Sequence, residues 1–417
     1  MNREENQSNT PHRNGFFRTG KQSVKAESVE TTYSEPERET ILPAKGSVDV
    51  PFLLITTALV LFGCVMIYSA SSVYAEQYHD DNTYFIARHL LFLLMAVAFT
   101  TVIVKFCTPL FWRDFSYVLF GISIVLLLLV LVIGVDLGSG AKRWLNLGIF
   151  TVQPSEIAKL ALVLALARFL SRHEREILSN ARRGGHFRYG VMCPGIMIGT
   201  IALLIAAEKH ISGLMIVGMI GIAVMLLGGT RWRWILGIAG AVFAAGCLLV
   251  LVSEYAQARV MTWLYIEDAD PLGSAWQTLQ GLMAIGSGGF FGKGLGNSDQ
   301  KFGYVSQPQN DFIFTIVCEE LGFVGAFLVL GLFAAFAWRG FYIARHCPDK
   351  FSALTVYGLT FKVVLQVILN VAVVTNSMPN TGIALPFFSY GGTSLMLQVF
   401  EVGIILSISR YASHRKI

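Results

Sequence analysis

Charge is scarce in this chain. Of its 417 residues only 14% are Asp, Glu, Lys or Arg, while 54% are hydrophobic and the mean hydropathy is +0.58. A soluble domain carries about 25% charged residues, so water is not the main solvent here. Cysteine is sparse too. Cys64, Cys107, Cys193, Cys247, Cys318 and Cys347 are scattered, and none lies between about 254 and 310, which argues against a disulfide framework or a metal cluster. The start has no apolar stretch of signal length, so it is not read as a signal peptide. No internal repeat is visible. The glycine-rich "GSGGFFGKGLGNS" has no strand before it and no P-loop lysine context, which excludes a nucleotide loop. Its glycines suit a loop folding back tightly at a membrane surface.

What is present is a series of long apolar runs. They cover about 51–70, 84–104, 114–134, 154–172, 190–207, 211–229, 233–253, 311–338, 353–376 and 386–409. Each is of the length that crosses a bilayer as a helix. The expected fold is therefore an all-α polytopic membrane protein of about ten transmembrane helices. Residues 1–48 are polar and lack apolar runs, so they read as a disordered cytoplasmic tail ahead of a transmembrane domain at 49–417. The formal net charge is +5, but its distribution matters more than its sum. Lys105, Arg113, Arg172, Arg175, Arg231, Arg233, Arg339, Arg345, Lys350 and Arg410 fall on one side of the alternating spans, which places both termini in the cytoplasm. The two long loops, about 135–153 and 254–310, then face outward, the second between helices 7 and 8.

The polar residues worth attention cluster toward that outer side. Lys142 and Arg143 stand beside Trp144 in the first long loop. Cations next to an interfacial indole suit a phosphate headgroup, or a simple interfacial anchor. Glu156 and Lys159 share one helix face just inside the fourth run. Ionisable groups there line a polar cavity or lock helices as an ion pair. Glu208, Lys209 and His210 form the turn between the fifth and sixth runs and read as an exposed polar turn. Asp311 marks the entry to the eighth run. A partly desolvated carboxylate at that point is a stronger base when ionised; the alternative is a helix N-cap. Glu319, Glu320 and Lys362 are charges within spans. Between the ninth and tenth runs, "NSMPNTGIALPFFSYGGTS" interrupts helix geometry with Pro379, Pro386, Gly391 and Gly392, as expected of a broken element beside a substrate site.

Five ordered motifs, "AKRWLNLG", "QPSEIAK", "GLMAIGSGGFFGKGLGNS", "PQNDFIFTIVCEELGFVG" and "MPNTGIALPFFSYGGTS", together resemble the SEDS family (shape, elongation, division and sporulation), and its FtsW/SpoVE branch more than RodA. The resemblance covers the chain after the tail. It implies a peptidoglycan glycosyltransferase that polymerises lipid II on the outer face of the bacterial cytoplasmic membrane, in division or sporulation. It also implies a class B penicillin-binding protein as partner, with other divisome proteins. On this resemblance Asp311 takes the position of the family's essential aspartate and acts as general base. Glu156 and Lys159 match the pair in "QPSEIAK", and Arg143, Gln277 and Gln280 fall on motif positions. Lys142, Arg143, Lys159 and Arg259 are candidates to meet the leaving diphosphate's charge. A Mg²⁺ or Mn²⁺ ion is the alternative, although no ligand cluster demands one. Two departures stand out. Many members read His-Thr before the aspartate, where this chain has Gln309 and Asn310. Many read Gln-Pro-Asp where this chain has Glu208, Lys209 and His210. The rival functions are a lipid II flippase, which needs polar groups through both leaflets, and a non-catalytic scaffold.

Overall fold

The computed structural model describes residues 45–136, 142–146, 148, 150–178, 185–268, 270, 273 and 275–412. The expected disordered tail, up to residue 44, lies outside them. The described chain is helical, with one small β-hairpin. Its elements are α1 (Val50–His79), α2 (Tyr84–Phe106), α3 (Pro109–Ile133), β1 (Leu145–Asn146), β2 (Thr151–Val152), α4 (Pro154–Arg172), α5 (Glu174–Leu178) and α6 (Gly185–Phe187), then a π turn at Arg188–Met192. There follow α7 (Cys193–Ala207), α8 (Ile211–Leu227), α9 (Trp232–Val252), α10 (Glu254–Leu264), α11 (Trp276–Ser287), α12 (Ile313–Arg345), α13 (Lys350–Val374) and α14 (Gly392–Ser409).

Eight of the helices are long and apolar enough to cross a membrane. Two more complete the expected ten. Helix α8 is apolar but has 17 residues. Helix α4 has 19 residues and carries Glu156, Lys159, Arg168 and Arg172. It tolerates them because it runs through the middle of the bundle, against α3, α7, α8 and α13. Between Pro154 and Ala167 only Ile157 is not fully buried. Several helices overrun the apolar runs of the sequence: α1 continues to His79 and α12 to Arg345.

The two ends of the described chain meet at one end of the bundle. The Gly46 amide donates to the Arg410 carbonyl at 2.7 Å, and the Lys45 ammonium reaches the Lys105 carbonyl at 2.6 Å. Three of the helices that start at this end, α1, α3 and α13, have side-chain caps. Asp49 accepts from the Phe52 amide, Thr108 from Phe111 and Asp349 from Ser352. Asp49 also pairs with Arg339 of α12 at 2.8 Å. The opposite, loop-bearing end differs. There α4, α8, α12 and α14 begin without a side-chain cap, so their first amides and the positive ends of their dipoles face that end.

The loop-bearing end is more ordered than its sequence suggests. The segment read as a long loop at about 254–310 contains α10 and α11. The loop after α3 closes as a hairpin in which Leu145 pairs with Val152 and Asn146 with Thr151. The glycine-rich stretch does fold back, and its target is a break in α12. Gly322 has φ 64° and ψ −163°, which splits that helix in two. Broken helix backbone inside a membrane must find other partners. The stretch supplies them: Lys293 and Gly294 donate to the Glu319 and Glu320 carbonyls, while Phe323 and Val324 donate to the Gly289 and Phe290 carbonyls. A Cβ on Gly292 would lie 2.2 Å from the Glu320 oxygen, so only glycine allows this contact.

The two carboxylates beside the break are fully buried and used. Glu319 accepts from the Lys293 ammonium at 2.8 Å, the Ser298 hydroxyl at 2.5 Å and the Asp299 amide at 3.1 Å. Glu320 accepts from Ser69 of α1 and pairs with Lys301 at 3.3 Å.

Candidate active site

Residues 375–391, between α13 and α14, form no helix. Buried backbone outside a helix needs outside partners, and side chains from four other elements supply them here, with further contacts from α11 and from the backbone ahead of α12. The Asn370 amide of α13 donates to the Ile383 carbonyl at 2.7 Å. The Ser212 hydroxyl of α8 donates to Thr381. From α10, Arg259 donates to the Asn380 carbonyl at 2.6 Å and the Trp263 indole to Asn376 at 2.9 Å. The Asn380 side chain meets Gln277 of α11 at 3.5 Å. The Phe387 amide donates to Gln398 of α14 at 2.8 Å, and the Tyr390 amide to the Gln309 carbonyl ahead of α12 at 2.8 Å. The segment is thus the point where the predicted residues Arg259, Gln277 and Asp311 come together.

Asp311 sits against it. The Asn370 amide that holds Ile383 also donates to the Asp311 carbonyl at 2.7 Å. A Cβ on Gly382, where φ is +63°, would lie 3.3 Å from Asp311 Oδ2, so the absent side chain leaves that oxygen room. Helix α12 starts at Ile313 with Phe312 in the cap position and no side-chain cap. The capping alternative is therefore not realised, and the carboxylate is not spent on helix amides. Loss of water around it pushes its pKa up to about 6, against a lowering contribution from a backbone hydrogen bond.

The turn at Glu208–His210 corrects the expectation of an exposed polar turn. Lys209 alone is exposed; Glu208 and His210 are buried. The burial follows from two attachments. Arg143 donates to the Lys209 carbonyl at 2.7 Å, and His210 Nδ1 lies 3.4 Å from the Ser155 hydroxyl at the start of α4. Since Ser212 holds Thr381, the turn reaches the Asp311 segment through α8. Lys142 is exposed beside Arg143.

Glu156 and Lys159 form the ion pair that the sequence allowed, at 2.5 Å. They do so within a larger buried network. Lys362 of α13 pairs with Glu401 of α14 at 2.5 Å and approaches Glu156 at 3.7 Å. Two acids and two bases balance where α4, α13 and α14 meet. Lys159 is consumed there, which removes it from the cations available to a diphosphate. Gln280 lies buried on α11, the helix that packs on α12. Sequence reading passed over Asn370, Asn380, Ser212 and Glu401. The available signal was a strongly polar residue within an apolar stretch of helix, as at Asn370 and Glu401, because such a group needs a partner inside the bundle.

Comparison with known proteins identifies the family. The family model described as cell cycle protein, covering FtsW, RodA and SpoVE, matches residues 50–414. The chain belongs to this family. The match begins at the first residue of α1 and takes in every described helix. Among curated relatives of this FtsW/RodA/SpoVE chain, stage V sporulation protein E of Bacillus subtilis is 40% identical over 375 residues, covering 89% of this chain and 99% of that protein. The probable peptidoglycan glycosyltransferase FtsW of Trichlorobacter lovleyi is 36% identical over 87% of this chain and 93% of that protein. Among solved structures, rod shape determining protein RodA of Thermus thermophilus matches with a TM-score of 0.64 and 27% identity, over 87% of this chain and 97% of that one. A chain from the structure described as "Structural coordination of polymerization and crosslinking by a peptidoglycan synthase complex" matches with a TM-score of 0.71 and 28% identity, over 87% and 98%.

Proposed function

We propose that this chain is a peptidoglycan glycosyltransferase that polymerises lipid II into glycan strands, with its site on the outer face of the cytoplasmic membrane. The observation that carries the reading is Asp311: a half-buried carboxylate, not used as a cap, against the Gly382 backbone in the segment that also binds Arg259 and Gln277. In the reaction the Asp311 carboxylate takes the proton of the acceptor sugar's 4-hydroxyl. That oxygen attacks the anomeric carbon of the donor sugar, the bond to undecaprenyl diphosphate breaks, and the anomeric centre inverts. Negative charge builds on the departing diphosphate, so cations and backbone donors placed near it stabilise the transition state. Lys142, Arg143 and Arg259, with the uncapped starts of α4 and α8, are assigned to that task.

Among the described residues no group of three or more His, Cys, Asp or Glu side chains could hold a metal ion. A Mg²⁺ or Mn²⁺ ion held by a single carboxylate and the substrate diphosphate needs no such group; no step is routed through one. The flippase alternative loses its main support. The charges within spans outside the Asp311 segment, Glu319, Glu320 and Lys362, are all held in ion pairs, the first two with Lys293 and Lys301 of the loop-bearing end, rather than lining a path. A single-span class B penicillin-binding protein is the proposed partner, which would crosslink the strands.

The test is glycan-chain formation from purified lipid II in detergent, for the wild type and Asp311→Ala, each with and without a cognate class B penicillin-binding protein. Loss of a general base costs about 10²- to 10⁴-fold. Polymer from the wild type and at least that loss in a folded variant supports the reading. A folded Asp311→Ala protein with full activity removes Asp311 from the role. A well-folded wild-type complex that makes no polymer overturns the function.

A further inference from the structure

Glu208 is the least explained group at the loop-bearing end. It is 3% exposed, and neither of its carboxyl oxygens has a hydrogen-bond partner. A buried carboxyl group without partners is costly and calls for a reason. The charged group acting on it is Arg143, which is fixed to the same turn by its bond to the Lys209 carbonyl. Helix α8 starts immediately after the turn with no side-chain cap, so its first amides are also without a side-chain acceptor. Three kinds of donor or potential donor thus converge: a guanidinium, helix-start amides and a carboxyl group.

We propose that Glu208 is a substrate-binding residue that donates a hydrogen bond to the diphosphate of the lipid-linked sugar, alongside Arg143. The proposal rests on the glycosyltransferase reading above and adds a residue to its substrate site. Its chemistry requires the carboxyl to be protonated. Burial does this, pushing the Glu208 pKa up to about 8 although Arg143 pulls it down. A protonated carboxyl next to a guanidinium matches an oxyanion. An ionised one would repel the diphosphate and occupy Arg143 itself. The other charged groups around the turn are Lys209 and His210 on it, Glu156 and Lys159 of α4, and Lys362 of α13, which is paired with Glu401 and Glu156. His210 is pushed down to about 4 by burial, with Lys159 and Arg143 adding to the effect. It stays neutral from pH 6.5 to 9 and cannot mimic a transition there.

The sign follows. Binding should be strong below pH 8 and weaken as Glu208 ionises above it. The experiment measures binding of purified lipid II, and separately of undecaprenyl diphosphate, to the full chain in detergent from pH 6.5 to 9. Asp311→Ala is included as a variant that still binds but does not polymerise. Glu208→Ala should bind both ligands about tenfold more weakly at pH 7, the size of one hydrogen bond to a charged group. Glu208→Gln, a neutral isostere, should bind nearly as well as the wild type at pH 7 and keep that affinity at pH 9. A folded Glu208→Ala with unchanged affinity overturns the proposal, as does an alkaline loss that persists in Glu208→Gln. Weakened lipid II binding with unchanged undecaprenyl diphosphate binding also overturns it, since the contact would then be to the sugar. Normal ligand binding with no polymer from the wild type would fail the glycosyltransferase reading alone.

Discussion

Asn370 and Asp311 are joined at the backbone, not the side chain: one amide nitrogen of Asn370 donates at 2.7 Å to both the Asp311 carbonyl and the Ile383 carbonyl. Asn370 is completely buried in α13. It fixes where the carboxylate stands relative to the segment that carries Gly382.

Asn370→Leu should therefore lower kcat with little change in the binding of lipid II. The substitution keeps the volume but leaves two buried carbonyls unpaired, each costing about 1–3 kcal/mol. Asn370→Asp should not rescue it, because an ionised carboxylate cannot donate. Glycan synthesis across lipid II concentrations, with thermal unfolding as a control, separates a misplaced base from a misfolded protein.

Asp311 must be ionised to accept a proton, and burial has raised its pKa to about 6. Activity should fall as pH drops through about 6, tenfold per unit below it, and hold above. A pH–rate profile of kcat measured between pH 4.5 and 7.5 checks this. A profile flat down to pH 5 would place the base elsewhere.

The four charges at α4, α13 and α14 predict an asymmetry between single and double substitutions. Lys362→Met leaves Glu401 without its cation while Glu156 keeps Lys159, and breaking a buried pair costs about 3–5 kcal/mol. Lys362→Met combined with Glu401→Leu removes a matched pair and should be less damaging than the first substitution alone. Thermal unfolding of the purified variants in detergent reads the difference. Equal or additive losses would show that Lys362 and Glu401 do not depend on each other.

Gly288, Gly292 and Gly322 all make close backbone approaches around the α12 break. Gly292→Val should destabilise the protein strongly, because the new side chain would meet the Glu320 carbonyl and because φ is +81° there. Gly286→Ala, on the same stretch but with open space around its Cβ, is the control and should unfold near the wild-type temperature.

Much of this was legible in the sequence, for separable reasons. Span positions follow from the bilayer's thickness, so long apolar runs located ten helices. Asp311, Arg259 and Gln277 lie on motif positions or in the long loop, and the structure brings all three to the 375–391 segment. The misreadings concern polar residues whose partners are far away in sequence. Glu208 and His210 looked like turn surface because nothing nearby covers them; Arg143 and Ser155, in the first long loop and at the start of α4, do so. Glu319 and Glu320 read as charges within a span without a visible partner, because their partners lie on α1 and in the outer loop around the glycine-rich stretch. The Glu156–Lys159 pair was one of two readings the sequence left open; what it hid was the link to Lys362 and Glu401 on α13 and α14. Periodicity reports which face a residue occupies, not which distant group it meets there.

The break at Gly322 divides α12 by allegiance. Residues 319–324, on both sides of the break, bond to the glycine-rich stretch, and the part before the break follows Asp311 directly, whereas the remainder of the helix runs on to the Asp49–Arg339 contact at the far end. For anyone building chimeras between members of this family, the natural joint is therefore inside the helix. A swap made just after Val324, taking the glycine-rich stretch with the residues before it, keeps the backbone bonds around the break within one parent. A swap made at the start of α12 divides those bonds between two parents.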